Sequence, residues 1–527
     1  MRGKAVVAHA VLALFAASMG ADASAQQAQT ATPSAEATPL PAHGTTFARG
    51  SRSTSVAEQG KQRLRITPRL DTVLTWTDNA ASTPEKHMDW LLEVSPGIGV
   101  SSERGRFIGM FDARWRNVGY ARHDELSETF GTLRGAGMLE AVKNVFFIDL
   151  DADVSRNNSM QFGGRADDDD LSVDKNNEVR RWSVGPRLHF RLGGAAEGAI
   201  RYRSTWLDGN DRTYYGRQHE QLWNGQLGNA NASRHLGWNL EYTDIRTDYE
   251  ASGTETGRKL GRATVFVNLV RQFRLRLTGG HESYDSVMTD DKAAIGGGGF
   301  DWTPTPRTTI SALAEKRVFG TGYNVSIRHR MRHLLLEAGG VRDISTLSDS
   351  SVYMNPAFMA LFNDPGWIAQ FPDPQQRASQ LAAMLPEGTV NTFYRDQTWH
   401  AGVSYIGLRN TVTLVGQRSR RRTLVTGSVA DYGFYGQTER LDSTTATLAF
   451  SHRLTPLATL DAMLSHARAK GDNDLDTRRT MASLGMNTRL GLQTRGGVMY
   501  RFQRSDSDTQ AYDFTENLIR ANLGVTF

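Results

Sequence analysis

The feature that most constrains the fold is an alternation of apolar and polar residues, which recurs from residue 62 to the C-terminus. In the segment Arg63–Trp76, for example, Leu64, Ile66, Leu70 and Leu74 alternate with polar and charged residues. Successive side chains of a β-strand point to opposite faces, so the pattern predicts strands with one apolar and one polar face. Turn signals divide the region into about 22 such segments.

Short turns alternate with long polar connections between these segments. The turns include residues 192–194, 303–306 and 408–410, and the long connections include 155–178 and 345–391. Short turns at one end, long loops at the other, an even strand number and an apolar outer face are typical of outer-membrane barrels. We therefore predict an all-β fold, a single transmembrane antiparallel β-barrel of about 22 strands, within a range of 18 to 24. A closed barrel pairs all its backbone groups, which lets a chain with only 39% hydrophobic residues cross lipid.

The N-terminus has the pattern of an export signal. Arg2 and Lys4 precede the apolar stretch Ala5–Met19, and the small residues Ala23 and Ala25 mark a cleavage site. We predict a cleaved signal peptide at 1–25, and a disordered periplasmic lead-in at 26–61, where large apolar residues are scarce. The barrel itself is expected at 62–527.

Several short strings resemble the outer-membrane β-barrel family associated with PEP-CTERM/exosortase systems. They occur in the family's order across residues 62–527, and they are Thr67-Pro68-Arg69-Leu70, Thr77-Asp78-Asn79, Val94-Ser95-Pro96-Gly97, Asp373-Pro374-Gln375-Gln376-Arg377 and Gly407-Leu408-Arg409-Asn410-Thr411. The resemblance implies an outer-membrane role in polysaccharide export or surface assembly. It supplies no catalytic residues.

The polar face of the predicted strands is rich in arginine. The positions assigned to the barrel interior are Arg65, Arg69, Arg114, Arg116, Arg187, Arg201, Arg203, Arg274, Arg276, Arg328 and Arg330. Rings of arginine favour anionic solutes. Arginines inside a barrel also pair with acids on neighbouring strands, and Asp71, Glu93, Asp112, Asp149, Asp151 and Asp153 are available. An anion path and a structural ladder of ion pairs therefore both remain open, and they are compatible with each other.

The long connection 345–391 is unusually apolar, and it includes a short helical pattern at Pro374–Leu385. We expect it to fold into the barrel as a gate, with capping of the mouth or binding of a surface partner as alternatives. The gate residues would be Phe358, Phe362, Trp367, Phe371 and Arg377. If the loop is a gate, deletion of residues 350–388 should raise conductance.

Two further features concern the membrane and barrel assembly. Alternation places Arg418, Arg420 and Arg422 on the outward face near the outer interface, where lipid phosphates lie. Contact with lipopolysaccharide and an ordinary loop base are both compatible with that position. The terminal Phe527 ends an alternating strand and is predicted to be the signal for the barrel-assembly machinery.

An enzymatic role is not expected. The chain has no cysteine, and the nearest approximations to a catalytic group pair His281 with Ser283 and His466 with Ser465. We predict no cofactor, no metal and no nucleic-acid partner. The expected function is a channel or accessory component for export of exopolysaccharide or another anionic polymer in the outer membrane of a Gram-negative cell, in contact with periplasmic export components. The alternative is a structural or adhesive surface barrel with a sealed interior and partner-binding loops.

Overall fold

The computed structural model describes residues 64–102, 105–156, 178–209, 217–229, 235–250, 253–286, 289–345, 394–423, 440–471, 476–508 and 513–527. These residues form one antiparallel sheet of 22 strands. The strands are β1 Arg65–Thr77, β2 Asp89–Ser102, β3 Phe107–Tyr120, β4 Glu128–Val142, β5 Phe146–Arg156, β6 Glu178–Leu192, β7 Ala196–Gly209, β8 Arg217–Gly228, β9 Leu236–Tyr249, β10 Thr254–Val270, β11 Phe273–Ser286, β12 Thr289–Thr305, β13 Thr308–Arg317, β14 Gly320–Arg330, β15 Leu334–Ser345, β16 Tyr394–Ile406, β17 Asn410–Thr423, β18 Arg440–Arg453, β19 Ala458–Gly471, β20 Asp476–Arg489, β21 Thr494–Ser507 and β22 Phe514–Thr526.

The sheet closes into a barrel because β1 pairs with β22, from Arg69 opposite Thr526 to Thr77 opposite Leu518. Every other pairing joins consecutive strands. Side chains fasten this closing seam at one end: the Asp78 carboxylate accepts from the Asn517 backbone N–H at 2.7 Å and from the Lys86 ammonium at 2.7 Å. The predicted fold class and strand number are confirmed.

The alternation determines which side chains face inward. On β2, Trp90 and Pro96 are exposed on the outer surface, whereas Glu93 and Ser95 between them are buried on the inner wall. Outward residues such as Leu277 and Leu414, which are 60% and 52% exposed, form an apolar outer surface. Residues that lie opposite each other on neighbouring strands point to the same side of the sheet. The apolar outer face and the polar inner face therefore continue from strand to strand around the barrel.

The two ends of the barrel differ in their connections. One end, which we call the short-turn end, carries the tight turns, such as 143–145 and 193–195. The other, the long-loop end, carries the long connections, including 78–88 and 346–393. The alternation in length is nevertheless incomplete, because several connections at the long-loop end are also short, including 250–253, 287–288, 318–319 and 472–475.

Aromatic residues lie on the outer surface near both ends. Trp90, Trp182 and Trp206 lie near the long-loop ends of their strands, and Trp302 and Tyr405 near the short-turn ends, each more than 40% exposed. Paired aromatic belts flanking an apolar band are characteristic of barrels that sit in a bilayer.

The predicted signal peptide, the lead-in and the gate residues Phe358, Phe362, Trp367, Phe371 and Arg377 lie outside the described residues. Within the described ranges the only helix is a single 3-10 turn at Asp124–Leu126. No helix there is long and apolar enough to cross a membrane. Among the described residues, no group of three or more His, Asp or Glu side chains is placed to hold a metal ion.

Candidate functional site: the arginine-lined inner wall

The inner wall of the barrel is basic through arginine rather than lysine. All the arginines assigned to the interior from the sequence occupy inward positions of their strands, namely Arg65, Arg69, Arg114, Arg116, Arg187, Arg201, Arg203, Arg274, Arg276, Arg328 and Arg330. On the described strands, every lysine takes the outward parity. The planar guanidinium donates to two oxygens of a carboxylate or phosphate at once, which an ammonium cannot do in the same geometry.

Most of these arginines contact carboxylates of the wall. On β2 and β3, Arg116 donates to both oxygens of Glu93 at 2.7 and 2.6 Å, and both side chains are less than 10% exposed. Arg69 contacts Asp112, and the Arg114 Nε lies 3.3 Å from the same carboxylate. The predicted partner acids are therefore used as a structural ladder in this sector.

A second sector repeats this arrangement on β5–β7. Asp149 lies between Arg187 at 3.4 Å and Arg201 at 3.7 Å, and Asp151 lies 3.6 Å from Arg203. Arg201 and Asp149 belong to β7 and β5, so this pair spans the strand between them. Two arginines around one carboxylate leave a local excess of positive charge on the wall.

Glycines make room for the pairs that span a strand. Gly97 of β2 lies between Arg69 and Arg114 in register, and a Cβ there would come within 3.0 Å of the Arg69 Nε and 2.9 Å of the Ala113 carbonyl oxygen. Only glycine therefore lets Arg69 reach Asp112 on β3. This assigns a physical role to the last residue of the Val94–Gly97 string.

The most buried ion pairs lie on β10–β15, a sector in which the sequence assigned Arg274, Arg276, Arg328 and Arg330 to the interior. Arg317 is 3% exposed, and its Nε and Nη2 lie 2.7–3.0 Å from the oxygens of Glu282, which is 2% exposed. Arg317 Nη1 also lies 3.3 Å from Asp343, and Arg262 bridges Glu241 and Glu315 at 2.7 and 3.1 Å. We call this group the Arg317 cluster: Glu241, Arg258, Arg262, Glu282, Glu315, Arg317 and Asp343.

Glycines also allow the longest of these contacts. Arg262 on β10 reaches Glu315 on β13 by passing over β11 and β12, where Gly280 and Gly297 take the inward positions. An added Cβ at Gly280 would overlap the Gly261 carbonyl oxygen, and one at Gly297 would lie 2.7 Å from the Glu315 Cγ.

A different set of inward arginines remains exposed. On β14 the inward residues Asn324, Ser326, Arg328 and Arg330 are all exposed, although Arg328 contacts Glu337 at 3.1 Å. Several inward arginines at the short-turn end are exposed as well, and we call five of them the mouth arginines: Arg65, Arg330, Arg453, Arg489 and Arg495. The first two, Arg65 and Arg330, were assigned to the interior from the sequence. The others follow the same alternation on β18, β20 and β21 and could have been assigned from it.

The arginines that the sequence places on the outer face all lie on β17. Arg418, Arg420 and Arg422 share the outward face of β17 with the exposed Leu414, which agrees with the predicted parity.

The candidate catalytic pair on β19, His466 and Ser465, does not have catalytic geometry. Ser465 points inward and hydrogen-bonds Thr447 at 2.9 Å, whereas His466 points outward and lies 2.9 Å from the Thr480 hydroxyl. Ser465 and His466 are therefore on opposite faces of the sheet. His281 and Ser283 share the outward face of β11, which carries the apolar surface.

Comparison with known proteins gives only weak likenesses. No protein-family model and no characterised protein sequence matches the chain. Among solved structures, the siderophore receptor PirA from Acinetobacter baumannii aligns with a TM-score of 0.47 and 8% identity over 88% of this chain and 80% of that chain. The FrpB iron transporter from Neisseria meningitidis gives 0.45 and 9% over 88% and 81%. An anion-selective porin from Comamonas acidovorans gives 0.30 and 10% over 88% and 99%.

Proposed function

We propose that this chain is an outer-membrane β-barrel that conducts anions, and that it serves as a channel or accessory component in the export of an anionic polymer such as an exopolysaccharide. The observation that carries the proposal is the exposed arginine on the inner wall, at β14 and in the mouth arginines. Rings of fixed positive charge raise the local concentration of anions and exclude cations. The apolar outer surface and aromatic belts support a position in the membrane.

The buried ion pairs and the exposed arginines have separate roles in this proposal. The Arg317 cluster and the Arg116–Glu93 pair hold neighbouring strands together and are shielded from solutes. The mouth arginines and Arg328 are accessible and interact with the solute that passes. The ladder and the anion path thus occupy different parts of the same wall.

The experiment is reconstitution in planar bilayers with a KCl gradient. The wild-type barrel should conduct, and its reversal potential should have the sign of chloride preference. The double variant Arg330→Glu/Arg489→Glu should move the reversal potential toward cation preference. Arg180→Glu makes the same charge change on the outward face of β6, where the side chain is 56% exposed, and should leave selectivity unchanged.

A soluble anionic oligosaccharide such as an oligouronate tests the substrate class. It should reduce the chloride current from the short-turn side, and the Arg330→Glu/Arg489→Glu variant should reduce this block. A neutral oligosaccharide of equal length is the control. A barrel that inserts but never conducts would instead favour the sealed surface protein, whose long loops bind partners.

A further inference from the structure

The outer surface of β16–β18 carries a concentration of positive charge at the long-loop end. Five arginines share the outward parity there, and we call them the basic face: Arg395, Arg418, Arg420, Arg422 and Arg440. The sequence indicated the three on β17. Arg395 and Arg440 join them only through the register of the neighbouring strands.

The register places like charges directly beside one another. Arg422 lies opposite Arg395 on one side and opposite Arg440 on the other, so three guanidinium groups form a row across three adjacent strands. Side chains at such positions have their Cβ atoms about 4.5–5.5 Å apart, and like charges there destabilise the pairing. An anion bound across this row would relieve the repulsion between its arginines.

Among the described residues, Asp442 offsets part of the positive charge of the basic face. The Asp442 carboxylate contacts the basic face: Arg420 donates to it at 2.9 Å, and Arg440 also contacts it. Within the described residues, no carboxylate lies within 4.0 Å of Arg395, Arg418 or Arg422. The charged groups that act on Arg395 are the guanidiniums of Arg342, Arg422 and Arg420.

The neighbouring strands show that this imbalance is local. Arg468 on β19 lies at the same level of the barrel, because Thr444 of β18 pairs with Arg418 on one side and with Arg468 on the other. Arg468 contacts Asp476, which also lies 3.4 Å from Arg478. Arg468 and Arg478 are thus paired, whereas Arg395, Arg418 and Arg422 have no carboxylate partner among the residues that the structure describes.

The apolar surface begins directly beside the basic face. Trp399, 44% exposed, lies opposite Arg418, and Leu414 lies two outward positions further along β17. A lipid could place its phosphates on the arginine row while its acyl chains lie against Trp399 and Leu414. A soluble anion would use only the first of these surfaces, so the continuity favours a lipid.

We propose that the basic face is a binding site for a phosphorylated lipid of the leaflet at the long-loop end, with Arg395, Arg422 and Arg440 donating to its phosphates. Guanidinium–phosphate hydrogen bonds are charge-assisted and often bidentate. The inference rests on the membrane position given under the proposed function, but not on conduction.

The test uses the full-length barrel in detergent and native mass spectrometry of bound lipid. The probes are lipid A, which carries phosphates, phosphatidylcholine, and inorganic phosphate alone. The variant Arg395→Gln/Arg418→Gln/Arg422→Gln should bind lipid A at least about tenfold more weakly than wild type, because charge-assisted hydrogen bonds are lost. Arg468→Gln, at the same level but paired with Asp476, should bind as wild type does.

Several outcomes would overturn the site. These are equal lipid A binding by the triple variant and wild type, an equal loss in Arg468→Gln, equal retention of phosphatidylcholine, or displacement of lipid A by inorganic phosphate at equal concentration. Single Arg422→Gln provides the same comparison if the triple variant does not fold. Bilayer conductance of the same preparations separates a failure of this site from a failure of the proposed channel.

Discussion

The Arg317 cluster allows the most quantitative prediction about stability. Replacing Arg317 with Leu would leave Glu282 without its guanidinium partner at 2% exposure, whereas Glu315 would keep Arg262 at 3.1 Å and Asp343 would keep Arg258 at 3.4 Å. Removing one partner of a buried ion pair costs about 3–5 kcal/mol, because the remaining charge stays desolvated. We expect Arg317→Leu to lower the free energy of unfolding by an amount near the upper end of this range, since three carboxylates lose the cation that they share.

The converse change should cost less. In Glu282→Leu, Arg317 keeps Asp343 at 3.3 Å and Glu315 at 3.8 Å, so we expect about 3 kcal/mol. The double variant replaces a buried pair by apolar groups and should cost about 2 kcal/mol or less, well below the sum of the single changes. The order of the three variants is therefore part of the prediction.

The assay is urea unfolding of the barrel in lipid vesicles, followed by the fluorescence of its ten tryptophans. Arg191→Leu is the control, because Arg191 and its partner Glu197 are 82% and 54% exposed, and such a pair contributes about 0–1 kcal/mol. If Arg317→Leu unfolds at the same urea concentration as Arg191→Leu, or if the double variant costs the sum of the singles, the reasoning is refuted.

Four further predictions follow from the same structure. Gly280→Ala should prevent assembly of the heat-resistant folded form on gels, whereas Gly279→Ala, where a Cβ meets nothing within 4 Å, should assemble normally; equal assembly would contradict the glycine argument. Leu277→Arg, on the apolar outer surface, should destabilise the barrel by about 2–4 kcal/mol in vesicle unfolding, and a neutral result would place that face in water. Deletion of Phe527, whose N–H donates to the Pro68 carbonyl at 2.9 Å, should lower the amount of barrel assembled in cells, and unchanged amounts would remove its role as an assembly signal. Burial raises the pKa of Asp78, but hydrogen bonds from Asn517 and Lys86 outweigh it and hold the pKa below its usual range; the stabilisation of the seam should therefore be present above about pH 4 and be lost as pH falls further, a dependence that Asp78→Asn should reduce.

Much of the fold could be predicted from the sequence because a strand repeats every two residues. The alternation along β1 and β2 gave the two faces of each strand, and the strand number followed from counting segments. The same alternation assigned Arg69, Arg116 and Arg203 to the interior without any knowledge of their neighbours.

Contacts between strands could not be predicted in this way. The row formed by Arg395, Arg422 and Arg440 depends on which residues of β16, β17 and β18 lie opposite each other. That register is set by turn lengths and by the stagger that closes the barrel. The path of Arg262 over Gly280 likewise involves strands whose alignment no local pattern reveals.

The division into an outer face in lipid and an inner face in water can be measured directly with a fluorophore attached to single introduced cysteines. The chain has no cysteine of its own that would also be labelled. Single cysteines at Leu275 and Leu277, and at Arg274 and Arg328, each carry a fluorophore in vesicles that contain nitroxide-labelled acyl chains. The account predicts strong quenching by the lipid label at Leu275 and Leu277, and access of a water-soluble quencher at Arg274 and Arg328. Quenching by lipid at Arg274 and Arg328, or its absence at Leu275 and Leu277, would contradict the facing of the barrel on which the proposed function depends.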